Sequence, residues 1–313
     1  MLADQPRWDA HLKALSQALQ PGMQVVELGS GLSTLAVAAL RQGAALVHCI
    51  EPNNVIHTAR QLVAGLGLSD RVVFHQKLSQ DVSLPERADL IIGDTRGITP
   101  LYESHLRIMI DVRERLLKPG GALIPGRDRL WAAPIASPPL WADATGILSR
   151  LPRQFGLEGL ARHTCSKPVR IGPEYPVQML ASPCPWSDID YRTVTTADVS
   201  GRCLFRANQA GECHGFAVWF SAELLPGIGY DNSPDRHDSI YGQLYFPLGE
   251  AVSLQADDEV ALEIKANPLG QGYFWRWATT VCRNGNTVLR LNQQSMIENL
   301  PPLRELNLEH REQ

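Results

Sequence analysis

Between Gln24 and Arg41 the chain runs from a short apolar stretch through Gly29-Ser30-Gly31 straight into a helical pattern, and this junction restricts the fold more than any other feature. A strand that passes into a helix over closely spaced glycines is one βα unit of a sheet whose next strand lies parallel to it. The unit repeats. Trp8, Leu12, Leu15 and Leu19 fall at helical spacing and predict a lead-in helix that Pro21-Gly22 ends. Strands are expected at Gln24–Leu28, 45–50, 71–75 and 90–93, with helices over 32–41 and 55–66 between them. Thr99 and Pro100 suit the cap and first position of a further helix running to about residue 117. Pro119-Gly120-Gly121 then breaks the helix and leads into a fifth strand at 122–125.

After about Ala136 the pattern changes. Prolines 134, 138, 139, 168, 173, 176, 183 and 185 punctuate an irregular middle, and beyond Cys203 the periodicity is two. Val260, Leu262 and Ile264 alternate with Ala261, Glu263 and Lys265, and Arg283-Asn284-Gly285-Asn286 is a hairpin-turn signal. The expected architecture is therefore a Rossmann-like α/β domain over residues 1–136, followed by an antiparallel β domain, sandwich or barrel, over 137–313. Trp275 and Trp277 read as core of that second domain.

Composition narrows the function. A net charge of −4 and a pI near 6.1 provide no basic field, which argues against nucleic acid as a partner and leaves a cationic substrate acceptable. The six cysteines (Cys49, Cys165, Cys184, Cys203, Cys213 and Cys282) form no Cys-x-x-Cys pair, and the histidines form no His-x-x-x-His pair. We expect no metal site, no disulfide scaffold and a reducing, cytoplasmic setting. With no leader pattern and no apolar run of roughly 18 residues, no membrane span is expected either.

Two sites carry chemistry. Glu27-Leu28-Gly29-Ser30-Gly31 closes the first strand, and Glu51 ends the second strand twenty positions after Gly31, a spacing at which a carboxylate reaches ribose hydroxyls. A dinucleotide or S-adenosylmethionine fits such a site. Thr34 stands where the dinucleotide fingerprint wants a third glycine, and an acid two residues before the first glycine favours the methyl donor, so S-adenosyl-L-methionine is the expected cofactor. Ser30 and Ser33 lie in no Gly-x-Ser-x-Gly elbow and are not nucleophile candidates. The second site is a pair of acids: Asp94 directly follows the fourth apolar strand, and Glu103 stands nine positions further on. Such a pair can clamp a cation; read alone, Glu103 is also a first-turn acid favoured by the helix dipole.

Glycine loop, acid pair and trailing β domain together resemble the protein arginine methyltransferases along nearly the whole chain. The Leu117-Lys118-Pro119-Gly120-Gly121 turn is similar to that of class I methyltransferases. The opening Met1-Leu2-Ala3-Asp4-Gln5-Pro6-Arg7 resembles a family segment whose arginine holds the donor's carboxylate, which would give Arg7 that role. The resemblance further implies Glu27, Gly29 and Gly31 in the donor loop, Glu51 on the ribose and Asp81 near the adenine amine. Asp94 and Glu103 fall on the family's double-glutamate loop, where Tyr102-Glu103-Ser104 matches. Gly229-Tyr230-Asp231-Asn232-Ser233-Pro234 looks like the segment leading into the family's Thr-His-Trp loop, here Ser239-Ile240-Tyr241. Arg96, Tyr102, Ser239 and Tyr241 would face the substrate. Residues of about 153–189 lie where the family carries a dimerisation arm, so a homodimer is implied.

The chemistry explains the residue types. A guanidinium stays protonated at neutral pH, its nitrogen lone pairs are delocalised, and it must face a positive sulfonium. Two carboxylates offset the repulsion, grip the planar fork and aim one nitrogen, and one of them can take the departing proton. The departures are as informative. Asp94 is one methylene shorter than the family's glutamate, about 1.5 Å of reach. Arg96 replaces an apolar residue and is expected either to pair with Glu103 or to bind a small substrate's carboxylate. Ile240 and Tyr241 replace the histidine and tryptophan, Ser33 replaces a glycine, and the aromatic helix that lids the donor in the family would fall before residue 1. Three functions follow: methyl transfer to a guanidino nitrogen of arginine in a protein, a peptide or free; methyl transfer to another nucleophile, such as an amine, of a small molecule or peptide; or a non-catalytic donor-binding scaffold.

Overall fold

The computed structural model describes residues 4–145, 168–236 and 239–295. Strands β1 (Gln24–Leu28), β2 (Leu46–Ile50), β3 (Val72–His75), β4 (Ala88–Gly93) and β5 (Leu117–Ile124) form a parallel five-stranded sheet in the order β3-β2-β1-β4-β5. Helices α2 (Thr34–Arg41), α3 (Val55–Gly65) and α4 (His105–Leu116) connect them. Buried on both faces, the inner strands read as continuous apolar runs. The strand order reverses between β1 and β4, and Leu28 is in register with Gly93 there. Both chains leave the sheet together at that crevice, where open α/β sheets hold ligands.

Local chemistry moved some boundaries. α2 starts at Thr34 because Ser33 takes a left-handed backbone, φ 58°. The helix expected from Thr99 starts only at His105: Thr99 Oγ1 instead accepts the Leu101 N–H at 3.2 Å, and Glu103 has a positive φ of 46°, which a helix cannot contain. Pro119-Gly120-Gly121 does not separate helix from strand. Lys118 to Gly121 bulge out of β5 opposite Asp89, whose carboxylate accepts from Lys118 Nζ at 2.7 Å and Gln24 N–H at 2.8 Å.

The second domain begins ahead of residue 136. β6 (Arg127–Ala136) pairs antiparallel with β11 (Gly211–Leu225) and β9 (Cys184–Asp190), so the change of sheet lies at Pro125-Gly126. α5 (Pro138–Thr145) follows β6. Short β7 (Val169–Ile171) and β8 (Gln178–Met179) flank the sheet β7-β13-β11-β6-β8, where β13 spans Gln243–Leu254 and β12 (Ile228–Asp231) adds to β11. Of the expected arm, residues 168–189 contribute β7, β8 and most of β9 to this sheet, while 153–167 lie outside the described residues. A second sheet runs β10 (Val199–Arg206), β14 (Glu259–Leu269), β15 (Gly272–Arg283), β16 (Asn286–Gln294). Phe246 of β13 meets Trp275 and Trp277 of β15 edge-on, each at 5.2 Å between centroids, so the two tryptophans are core between the sheets as expected. Burying rings of this size contributes about 1.5–3 kcal/mol each.

Helix α1 (Gln5–Ala18) ties the domains together. Asp4 caps it by accepting the Arg7 N–H at 3.2 Å, and its other oxygen accepts the Ile240 N–H of the β domain at 3.4 Å. Among the described residues no helix is long and apolar enough to cross a membrane.

Candidate active site

The glycine loop begins where β1 ends. Gly29 has φ 63°, and a Cβ on it would lie 2.7 Å from Thr95 Cγ2, so the loops after β1 and β4 touch through a contact only glycine allows. Gly31 has φ 49° and nothing within 4 Å of its missing side chain. The Gly31 N–H donates to Glu51 Oε2 at 3.1 Å, and Glu51 Oε1 accepts from the Asn53 N–H at 2.9 Å and Asn53 Nδ2 at 2.8 Å. An open cradle over Gly31 with a carboxylate at its edge fits the adenosyl and ribose parts of S-adenosylmethionine. Glu27 is held differently: fully enclosed, it accepts the N–H groups of Leu35 (3.2 Å) and Ala36 (3.0 Å) and caps α2 from beneath the loop. Burial pushes its carboxyl up to about 8, against the pull of those two N–H groups. Asp81 is exposed at the end of the turn Ser79–Asp81, which Arg115 pins through the carbonyls of Ser79 and Val82, both at 2.8 Å.

Asp94 leaves β4 into a ring of donors. Arg7 Nη1 donates to Oδ2 at 2.7 Å, Tyr230 Oη at 3.3 Å, and Tyr241 Oη closely, while Arg96 Nε donates to Oδ1 at 3.2 Å. Burial opposes ionisation of Asp94, yet the Arg96 and Arg7 guanidiniums and the Tyr241 hydroxyl hold its carboxyl well below the usual range. Arg7 therefore reaches Asp94 from α1 in this structure.

Arg96 corrects an expectation. Its side chain is 0% exposed and does not touch Glu103. Nη1 donates to Asp128 Oδ1 and Nη2 to Tyr230 Oη, each at 2.7 Å, and the rings of Phe220 and Tyr230 both lie 5.4 Å from Cζ. With its nitrogens engaged, Arg96 has no face for a substrate carboxylate. Asp128 passes the network on: Tyr191 Oη donates to its Oδ2 at 2.5 Å, His105 Nε2 meets Tyr191 Oη at 2.9 Å, and His105 Nδ1 meets Thr95 Oγ1 at 2.7 Å. Burial pushes His105 down to about 3 and His11, whose Nδ1 lies 2.8 Å from the Arg7 carbonyl oxygen, down to about 4.

The two acids are not brought together as an open jaw. Glu103 is exposed on the turn before α4, and no hydrogen bond or ion pair joins it to Asp94 among the described residues. Beside it, Tyr102 is 45% exposed with its ring over Gly97, where a Cβ would come within 2.3 Å of the ring. The loop is anchored from below, since buried Asn232 donates through Nδ2 to the Ile98 carbonyl at 3.1 Å and accepts the Phe220 N–H at 2.9 Å. Tyr241 stacks on Tyr230, with 6.2 Å between ring centroids, and Ser239 Oγ accepts the Tyr241 N–H at 3.3 Å. Ser239 also lines a cavity of about 550 Å³ with Arg170, Glu174 and Tyr175. Among the described residues no three His, Cys, Asp or Glu side chains are grouped to hold a metal ion.

Sequence reading missed Asp128, Tyr191 and His105. Asp128 carried a signal: it shares strand parity with Leu130 and Ala132, and an acid at an inward position needs a partner.

Comparison with known proteins agrees with the two-domain fold. Residues 141–271 match the arginine methyltransferase oligomerization subdomain. The probable protein arginine N-methyltransferase 6 of Arabidopsis thaliana is 29% identical over 255 residues, covering 76% of this chain, which spans only 56% of that relative's length. The arginine N(omega)-methyltransferase of Streptomyces achromogenes subsp. streptozoticus is 28% identical over 275 residues, 84% of this chain and 74% of the relative. Among solved structures, the Trypanosoma brucei PRMT1 enzyme-prozyme heterotetrameric complex with AdoHcy superposes with a TM-score of 0.82 at 18% identity, over 94% of this chain and 96% of the other.

Proposed function

We propose that this chain, which has the two-domain fold of the protein arginine methyltransferases and resembles them in sequence, transfers a methyl group from S-adenosylmethionine to a guanidino nitrogen of arginine. The observation that carries the reading is the register of Leu28 with Gly93, which sets a buried carboxylate, Asp94, beside an open glycine cradle. Donor loop and acceptor acid share one crevice.

Gly31 and Glu51 hold the adenosyl part of the donor, and Arg7 takes its carboxylate. When bound, the donor supplies an electrophilic methyl group on a positive sulfur. Asp94, kept ionised by its surroundings, accepts hydrogen bonds from the substrate guanidinium and orients one nitrogen. Glu103 supplies the second carboxylate from the turn above, and water or Glu103 takes the proton released as the nitrogen is methylated. Tyr241, at the position of the family loop's tryptophan, fixes that acid by placing its Oη on Asp94 Oδ2.

Free arginine and arginine peptides are both acceptors within this class; the likeness to the Streptomyces enzyme supports testing the free amino acid first. The match to the oligomerization subdomain supports a dimer of identical chains, and the cysteine pattern supports a cytoplasmic setting. Incubation with labelled donor and free arginine, arginine peptides and cell lysate, read by mass spectrometry, tests the reading. A mass gain of one CH₂ on a guanidino group supports it; methylation confined to amines or hydroxyls overturns it. A second reading, transfer to another nucleophile of a small molecule or peptide, draws on one observation: the buried Arg7, Arg96, Asp94 and Asp128 side chains already balance in charge without a guanidinium.

A further inference from the structure

The Asp94 carboxylate has about four lone-pair directions, and four protein donors meet it: Arg7, Tyr230 and Tyr241 on Oδ2, and Arg96 on Oδ1. Three donors crowd Oδ2, so a substrate guanidinium that grips both oxygens must displace some of them. Arg96 is the one that cannot leave, because its other two nitrogens are bound to Asp128 and Tyr230, two rings cover its faces, and its side chain is 0% exposed. Arg7 rides on α1 at the crevice and Tyr241 sits on the loop above, both at the Oδ2 side.

We infer that Asp128 and Arg96 are a positioning pair that permanently holds one lone-pair direction of Asp94 Oδ1, so that an acceptor reaches this acid only through the other direction there and through Oδ2 once Arg7 or a tyrosine gives way. The inference rests on the arginine-methyltransferase reading and deepens it. Asp128 draws the Arg96 guanidinium away from Asp94: Nη1 lies 2.7 Å from Asp128, while Nε lies 3.2 Å from Asp94. The division of Arg96 between two acids sets how much negative charge Asp94 retains for a substrate. Tyr191 and His105 hold Asp128 from behind.

This predicts different effects from two related variants. Asp128→Asn leaves Asp94 as the only carboxylate on Arg96; Arg96 tightens on it, and the arginine KM rises about tenfold or more. Arg96→Met with Asp128→Asn removes the competing cation without stranding a buried charge, a double change better tolerated than either half. Oδ1 is then free, and the arginine KM falls about tenfold below that of Asp128→Asn, to the wild-type value or lower. The donor KM stays within about threefold in both. Melting curves on the same samples exclude simple unfolding. Calorimetric titration of arginine amide into each protein loaded with S-adenosylhomocysteine reads the same ranking without turnover. A wild type that methylates no guanidino compound overturns the functional reading, and the titrations then still decide the pair. Weaker arginine binding in Asp128→Asn with binding restored to the wild-type value or better in the double variant supports the inference; a loss of similar size in both, a purely structural result, or no change in either overturns it.

Discussion

His105 and Tyr191 share a hydrogen bond whose direction the structure fixes. Tyr191 gives its only hydroxyl hydrogen to Asp128, so at 2.9 Å it accepts from His105 Nε2–H, and His105 Nδ1 in turn accepts from Thr95 Oγ1. A neutral imidazole with its proton on Nε2 satisfies all three contacts. Protonation would place a second donor against the threonine hydroxyl and a charge in a fully buried site near Arg96.

The pH dependence of stability follows. His105 titrates at about 3 in the folded chain and near 6.5 when unfolded, so below pH 6.5 the unfolded state binds the extra proton and stability falls as pH falls. The loss runs from about pH 6.5 toward 3 at on the order of 1.4 kcal/mol per pH unit. His11, at about 4, adds a loss of the same sign. Urea unfolding at pH 7, 6 and 5 should show His105→Gln less stable than wild type at pH 7 but with the slope reduced by about one proton. An unchanged slope would mean that His105 is not held neutral.

Glu27 acts in the reverse sense. Its folded pKa is raised to about 8, so its contribution is complete below the unfolded value near 4.3 and is lost as pH rises through 8. Gln matches the neutral form in shape. Relative to wild type, Glu27→Gln should therefore gain stability between pH 5 and 8.5, on the order of 1.4 kcal/mol per pH unit over most of that interval. Denaturant titrations at the two ends decide it, and a constant difference between the proteins would show that Glu27 is already ionised at neutral pH.

The two loop glycines should fail differently. In Gly29→Ala the methyl group meets Thr95 in addition to a left-handed backbone, so stability falls by about 1–2 kcal/mol or more. In Gly31→Ala the backbone strain remains, yet the methyl group has nothing within 4 Å to strike and instead fills the cradle. Donor-product affinity by calorimetry should drop at least about tenfold in Gly31→Ala, out of proportion to its change in melting temperature. Equal losses of stability and affinity in the two variants would remove the cradle from the donor site.

How much of this was legible in the sequence depended on whether the signal was local. The parallel sheet was readable because each strand is an apolar run beside a glycine or proline break, and Asp94 was readable because it ends such a run. The Arg96 network was not. Its partners Asp128, Tyr191 and Tyr230 come from distant parts of the chain; strand parity marks Asp128 as inward, but only the folded β domain shows what it meets there. The helix expected from Thr99 failed for a related reason: Thr99-Pro100 is a good cap locally, but the turn up to Ser104 is held from outside, by Asn232 on Ile98 and by Ser104 Oγ donating to Gln271 Oε1 at 2.9 Å. Tertiary contacts outweighed the local preference, and the result is an exposed Glu103.

That exposure makes Glu103 the most discriminating position in the site. A solvated side chain with a left-handed backbone and no ion pair to Asp94 contributes little to folding, and surface changes of this kind stay within about 0.5 kcal/mol. Glu103→Gln should thus melt within a degree or two of wild type. If Glu103 closes over the substrate guanidinium as the second carboxylate, the same change removes a charge-assisted contact made in the transition state, and kcat on arginine should fall on the order of a hundredfold. Asp94→Asn should lower turnover at least as far, but in a less stable protein, because Arg7 and Arg96 lose a buried partner. Turnover of Glu103→Gln within a fewfold of wild type would assign the acceptor grip to Asp94 alone.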